Sequence, residues 1–200
     1  MRNRLILKRR KQKARCEMTE FDSFSNQLLE EAKAFLEKAR KNENEAQTAY
    51  LHSSLLIAIS ALEAFVNSII DEMLIEPYDR MYSVHERALL LEKEVRFERG
   101  EFVLSNTLKI SRLTDRIEFL YFKYTGKNLD GTTQWYAELK QGIKIRNELV
   151  HPKGNVTLTI KQVENVITSV IETVNELYKV VYKTKFPRYN IELSSSLQLD

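Results

Sequence analysis

The sequence has one cysteine, three prolines and five glycines in 200 residues. A lone thiol, Cys16, allows no internal disulfide framework and suits a reducing compartment. Sandwiches and barrels need many tight turns, so this scarcity of glycine and proline excludes them and leaves a chain of a few long helices. Three histidines, His52, His85 and His151, form no ligand set with Cys16 at workable spacing, and no metal is expected. No glycine-rich phosphate loop or dinucleotide fingerprint occurs, so no cofactor is expected either. The longest apolar run, Leu55 to Val66, is interrupted by Ser60 and Glu63 and reads as too short and too polar to span a bilayer.

With 43% hydrophobic and 30% charged residues, the chain suffices for one packed domain plus extensions. Its charge is uneven. Residues 1 to 15 hold eight basic side chains and no acidic one, so an overall +3 leaves the remainder at −5. Any nucleic-acid surface on the body must therefore be local. Residues 1–18 read as a solvated, disordered basic arm able to meet RNA phosphates. They lack the apolar core and cleavage site of a secretory signal, and a cytoplasmic location is expected.

Beyond this arm, apolar residues recur at steps of three and four along most of the chain. A first helix is expected from Thr19 to Lys41, with Phe21, Phe24, Leu28, Ala32, Phe35 and Ala39 inward. A second, from Asn44 to Leu74, is apolar over more than one stripe and reads as the central helix, ended by Pro77. A charged helix from Met81 to Arg99, closed by Gly100, and a short extended piece at FVLS come next. A helix from Asn106 to Tyr124 turns Ile110, Leu113, Ile117 and Leu120 inward and stops at Gly126. The next begins near Thr133, and the last at Thr159, whose pairing with Gln162 is a capping-box signature. Residues 19–185 thus form one helical domain, all-α, an antiparallel up-and-down bundle of four to six helices. Residues 186–200 read as an irregular or disordered tail.

The candidate chemistry lies in GIKIRNELVHPKG, residues 142–154. Leu139, Ile143 and Val150 mark a stripe whose intervening positions carry Arg146 and Asn147. Pro152 and Gly154 should end the helix, leaving His151 at its C-terminus. On an unbroken helix Arg146 would lie about 140° around the axis from His151. Either the last turn unwinds, or Arg146 of one subunit meets His151 of another. Gly142 costs about 1 kcal/mol relative to alanine and reads as a close helix approach at a dimer seam or as a tolerated exposed glycine. Glu63 lies beside core Leu62 and near core Phe65, and a carboxylate there is costly unless paired. Arg146 is the expected partner.

Arginine, an adjacent asparagine and a histidine with four residues between resembles the R-x4-6-H motif of the HEPN superfamily. The likeness extends to SSLLIAISALEAFVNSII, which sets Glu63 in an apolar surround, and spans about Asp22 to Lys183. A second copy of the spacing, Arg80 and His85 in RMYSVH, lacks the asparagine and the His-Pro ending and reads as coincidence. The resemblance implies a HEPN-type helical bundle and a metal-independent endoribonuclease, with Arg146, Asn147 and His151 as catalytic residues and Glu63 in support. It also implies an RNA substrate, a homodimer that joins two motifs, and a defence or growth-arresting toxin role. A non-catalytic module of the same fold that binds RNA or a protein partner, such as an antitoxin, is the other reading. Lys153 stands where HEPN toxins paired with a nucleotidyltransferase antitoxin often carry a modified tyrosine, so that form of regulation is not implied.

Overall fold

The computed structural model describes residues 20–43, 45–190 and 192–198. The basic arm expected over residues 1–18, Cys16 within it, lies outside the described residues. Among those described, six α-helices and one hairpin occur in the order α1 (Glu20–Lys41), α2 (Glu45–Met73), α3 (Val84–Leu91), β1 (Lys93–Glu98), β2 (Glu101–Leu108), α4 (Leu113–Thr125), α5 (Gln134–Val150) and α6 (Ile160–Tyr182), with a 3-10 turn at Tyr78–Met81.

Helix α2 is the core helix because it is apolar nearly all round. Leu51, Leu55, Ala58, Leu62, Phe65, Ile69 and Met73 are buried, and so are Ile59, Val66 and Ile70 on its other side. As one helix it is long and apolar enough to cross a membrane, which the shorter run Leu55–Val66 does not suggest. Its most apolar stretch is 67% buried, however, because α1, α5 and α6 pack on it. Burying such side chains stabilises by about 25 cal/mol per Å² of apolar surface, which makes this helix the main source of cohesion.

Helix α6 is capped by Thr159, where the sequence places its start. The Thr159 side chain accepts from the Gln162 backbone while the Gln162 side chain accepts from the Thr159 backbone, satisfying two otherwise orphaned donors. In α1 the buried stripe runs through Leu29, Ala32, Leu36 and Ala39, and Phe24 is exposed. The expected stripe lies one position to the side at that end.

Residues 81–108 differ most from expectation. The helix stops at Leu91, where Glu92 turns left-handed at φ 53°, and a hairpin replaces the rest. Val95 and Phe97 alternate with charged residues, and Phe102, Val103 and Leu104 form a short apolar run rich in strand-forming side chains, which suits a pleated surface better than a helical stripe. Arg99 and Gly100 both have positive φ, 52° and 88°, the two-residue turn whose twist matches that of paired strands. Phe97 consequently faces Phe102 and Glu98 faces Glu101 in an antiparallel register. Gly100 makes the hairpin turn and closes no helix. The next helix begins only at Leu113, so Ile110, expected inward, is 80% exposed.

No helix or strand follows α6 among the described residues, and their irregular backbone is tied to the bundle by side chains. Phe186 is buried against Phe65, Tyr189 donates to Glu172 at 2.7 Å, and Ser195 and Ser196 donate to Glu30 of α1. Aromatic burial and a set of charge-assisted hydrogen bonds hold the segment down.

Candidate functional site

Helix α5 is set by its contact with α6. Its buried stripe is Tyr136, Leu139, Gly142 and Ile145. A Cβ on Gly142 would stand 2.8 Å from both Val166 methyl carbons. The glycine therefore permits close approach of two helices within one chain, which corrects both its reading as a dimer seam and its reading as an exposed position. Leu139 is shared with the expected series, but the stripe continues through Gly142 and Ile145 and not through Ile143, and Val150 is exposed. Arg146 and Asn147 stand beside the core and do not interrupt it, because a glycine supplies the position that hydrophobic counting overlooks.

Arg146 Nη2 donates to Glu63 Oε1 on α2, the expected pair. Both side chains are partly exposed, at 26% and 41%. One turn further along α2, Asn67 Oδ1 accepts from Arg116 Nη2 on α4. Arg116 also lies 3.3 Å from Glu92, and only 5% of its side chain is exposed. Burial lowers the guanidinium's pKa, against which Glu92, Glu63 and Asp71 favour its charge. Glu92 in turn accepts from the Ser111 backbone at 3.2 Å and, through its own carbonyl, from that of Lys109 at 2.8 Å. A polar ladder thus joins α5, α2, α4 and the base of the hairpin.

Sequence reasoning does not single out Arg116 or Asn67, though both carry a signal. Arg116 follows Leu113 by three and precedes Leu120 by four, so it occupies an apolar register just as Glu63 does. Asn67 stands one helical turn from Glu63.

His151 caps α5, at φ −124° and ψ 66°, and its N–H still bonds the Asn147 carbonyl at 2.9 Å. The last turn therefore does not unwind before the proline. Two hollows result. One, of about 590 Å³, is bounded by Glu63, Asn67, Arg116 and Arg146. The other, of about 660 Å³, is bounded by His151 with Lys140, Lys144 and Lys153. Ile143 and Asn147 border both. Arginine and histidine of one chain face adjoining hollows with asparagine on the ridge between them.

The second copy of the spacing goes elsewhere. Arg80 pairs at the surface with Glu76, and the ring of His85 meets Phe102. His52 bonds the Val156 carbonyl at 3.1 Å. Among the described residues no three His, Cys, Asp or Glu side chains gather as a metal ligand set.

No curated protein and no solved structure matches the chain. A family model described as RiboL-PSP-HEPN matches residues 23–183, from the first turn of α1 to the residue that caps α6. That span takes in Glu63, Asn67, Arg116 and the whole of α5, and the chain accordingly belongs to the RiboL-PSP-HEPN family of helical domains.

Proposed function

We propose that the protein is a metal-independent endoribonuclease in which two copies of the chain complete each site. The observation that carries this reading is the division of the motif between two hollows that meet at Asn147. With Arg146 and His151 of one chain set apart on a rigid helix, a two-fold partner can bring the histidine of one copy beside the arginine of the other.

RNA carries its own nucleophile. The 2′ oxygen attacks the adjacent phosphorus, its bond to phosphorus forms as the bond to the 5′ oxygen breaks, and a 2′,3′-cyclic phosphate and a 5′ hydroxyl remain. One histidine takes the 2′ proton and a second gives a proton to the departing 5′ oxygen, a service worth about 10²–10⁴-fold in rate. Imidazole is the side chain suited to either task, since it can accept a proton at one ring nitrogen or give one up. Arg146 stabilises the crowded phosphate. Its bond to Glu63 engages one Nη2 donor and leaves other guanidinium N–H groups for the phosphate oxygens. Asn147 hydrogen-bonds phosphate or fixes the histidine tautomer. Lys140, Lys144 and Lys153 supply positive charge for the flanking backbone.

The Glu63–Arg146 pair favours a second reading, a non-catalytic module that binds RNA or a protein partner such as an antitoxin, since a structural ion pair has the same geometry. Incubation of the purified protein with total RNA in EDTA, beside its His151→Ala variant, separates the two. Cleavage to 2′,3′-cyclic phosphate ends by the first protein alone supports the ribonuclease, with a cytoplasmic defence or growth-arresting role as its setting. Cleavage by both sinks the assignment of His151, and cleavage by neither favours the binding module.

A further inference from the structure

A third hollow, of about 440 Å³, runs along the hairpin on the side of α3, from Phe102 near the turn to Lys93 and Lys109 at the base. Its volume falls in the range of roughly 300–1,000 Å³ usual for small-ligand sites. His85, Lys93, Phe102, Lys109 and Ser111 border it, and no carboxylate does. The nearby acids are already engaged: Glu86 with Lys123 at 2.7 Å, Glu92 with Arg116 at 3.3 Å, and Glu94 with Arg96 at 2.9 Å. Lys93 and Lys109 have no ion-pair partner among the described residues. Towards the turn, Phe102 is 56% exposed, and its ring centroid lies 5.3 Å from that of His85 and 5.3 Å from that of Phe97. Three rings outside the core, two unengaged ammonium groups and a hydroxyl are what a nucleotide uses: a π face for the base and cations for the phosphate.

The hollow adjoins the Arg146 hollow, for Ser111 borders both. We infer that the α3-facing side of the hairpin is a binding subsite for single-stranded RNA, stacking a base on Phe102 towards the turn and holding phosphates at Lys93 and Lys109 at the base, on a strand that continues past Ser111 into the adjoining Arg146 hollow. This rests on the ribonuclease reading for the identity of the strand. His85, the histidine of the rejected second motif, acts here as a stacking ring and takes no part in proton transfer.

The test uses the full chain carrying His151→Ala, so that bound RNA is not consumed, and the anisotropy of a short fluorescent single-stranded RNA across a salt series. Lys93→Gln with Lys109→Gln should weaken binding about tenfold and flatten the slope of log affinity against log salt by about 0.7 for each phosphate no longer neutralised. Phe102→Ala should weaken it about tenfold with the slope unchanged. Lys93→Arg with Lys109→Arg should bind as the parent does. Should Phe102→Ala disturb the hairpin, as circular dichroism would reveal, the lysine pair still reads the site. Unchanged affinity and slope in the glutamine pair overturn the inference. So does an acidic peptide that binds the parent more tightly than RNA and depends on the same lysines, which would make the partner a protein. Wild-type cleavage of RNA with unaltered binding by these variants removes this subsite alone. Binding weakened as predicted, with no wild-type cleavage, removes the ribonuclease reading and supports the subsite.

Discussion

Glu63 on α2 and Arg146 on α5 stand 83 residues apart in sequence and meet in a hydrogen-bonded ion pair at the edge of the core. Because both are partly exposed, the pair contributes at most about 1 kcal/mol to stability. Its expected importance is in orienting the guanidinium. Glu63→Gln should lower RNA cleavage severalfold and shift the melting temperature only slightly, which single-turnover kinetics and calorimetry will measure together.

Arg146→Ala and His151→Ala should each reduce cleavage on the order of 10²-fold or more, since each removes a group that acts in the transition state. Helical content and melting temperature should be nearly unchanged. Arg80→Ala, which breaks only the exposed contact with Glu76, should cleave as wild type does. Equal loss in Arg80→Ala would assign the chemistry to the wrong motif.

Light scattering at micromolar concentration should report a dimer. A monomer that cleaves RNA would refute the shared site, because one chain supplies a single His151.

Gly142→Ala tests the packing of α5 on α6. Alanine would gain about 1 kcal/mol in helix propensity, but a methyl 2.8 Å from two Val166 carbons overpacks the seam at a cost of about 1–3 kcal/mol. Chemical denaturation should therefore show a net loss of up to about 2 kcal/mol. Adding Val166→Ala should recover part of it, and a more stable single variant would refute the close approach.

Acid should release the C-terminal segment. Burial works against the charged form of Glu30, yet hydrogen bonds from the Ser196 backbone and side chain, and Lys33, outweigh it and hold the carboxyl below its usual range. A carboxyl depressed in the folded state stabilises fully above its ordinary value of 4.5 and loses that contribution as pH falls through the folded value. The protection factor of the Ser196 amide, corrected for the intrinsic exchange rate, should fall as pH drops below 4.5 while α2 stays protected. Glu30→Gln should remove the pH dependence.

The helices α2 and α6 are legible in the sequence because long runs of threes and fours have no rival interpretation, and the Thr159 cap has a local chemistry of its own. Of the hairpin only the extended FVLS within β2 is legible, because in β1 Ala88, Leu91 and Val95 satisfy a helical period while Val95 and Phe97 satisfy a period of two. Only the positive φ of Arg99 and Gly100 decides between them. At the site, Glu63 announces itself as a charge among apolar neighbours. Arg116 does so equally, but its meaning depends on Asn67 and Glu92, which only folding brings together. Gly142 misleads for a related reason, since a residue without a side chain gives no hint of the neighbour it admits.

Helix α2 has a further consequence for the chain as it is made. Its apolar surface is shared among α1, α5 and α6, and of these only α1 precedes it in the order of synthesis. At about 5–20 residues per second, α6 is completed on the order of ten seconds after Met73 is added. Throughout that interval a helix as apolar as a membrane span is only partly covered, and chaperones or targeting factors that bind exposed apolar helices have a ready client in this nascent protein.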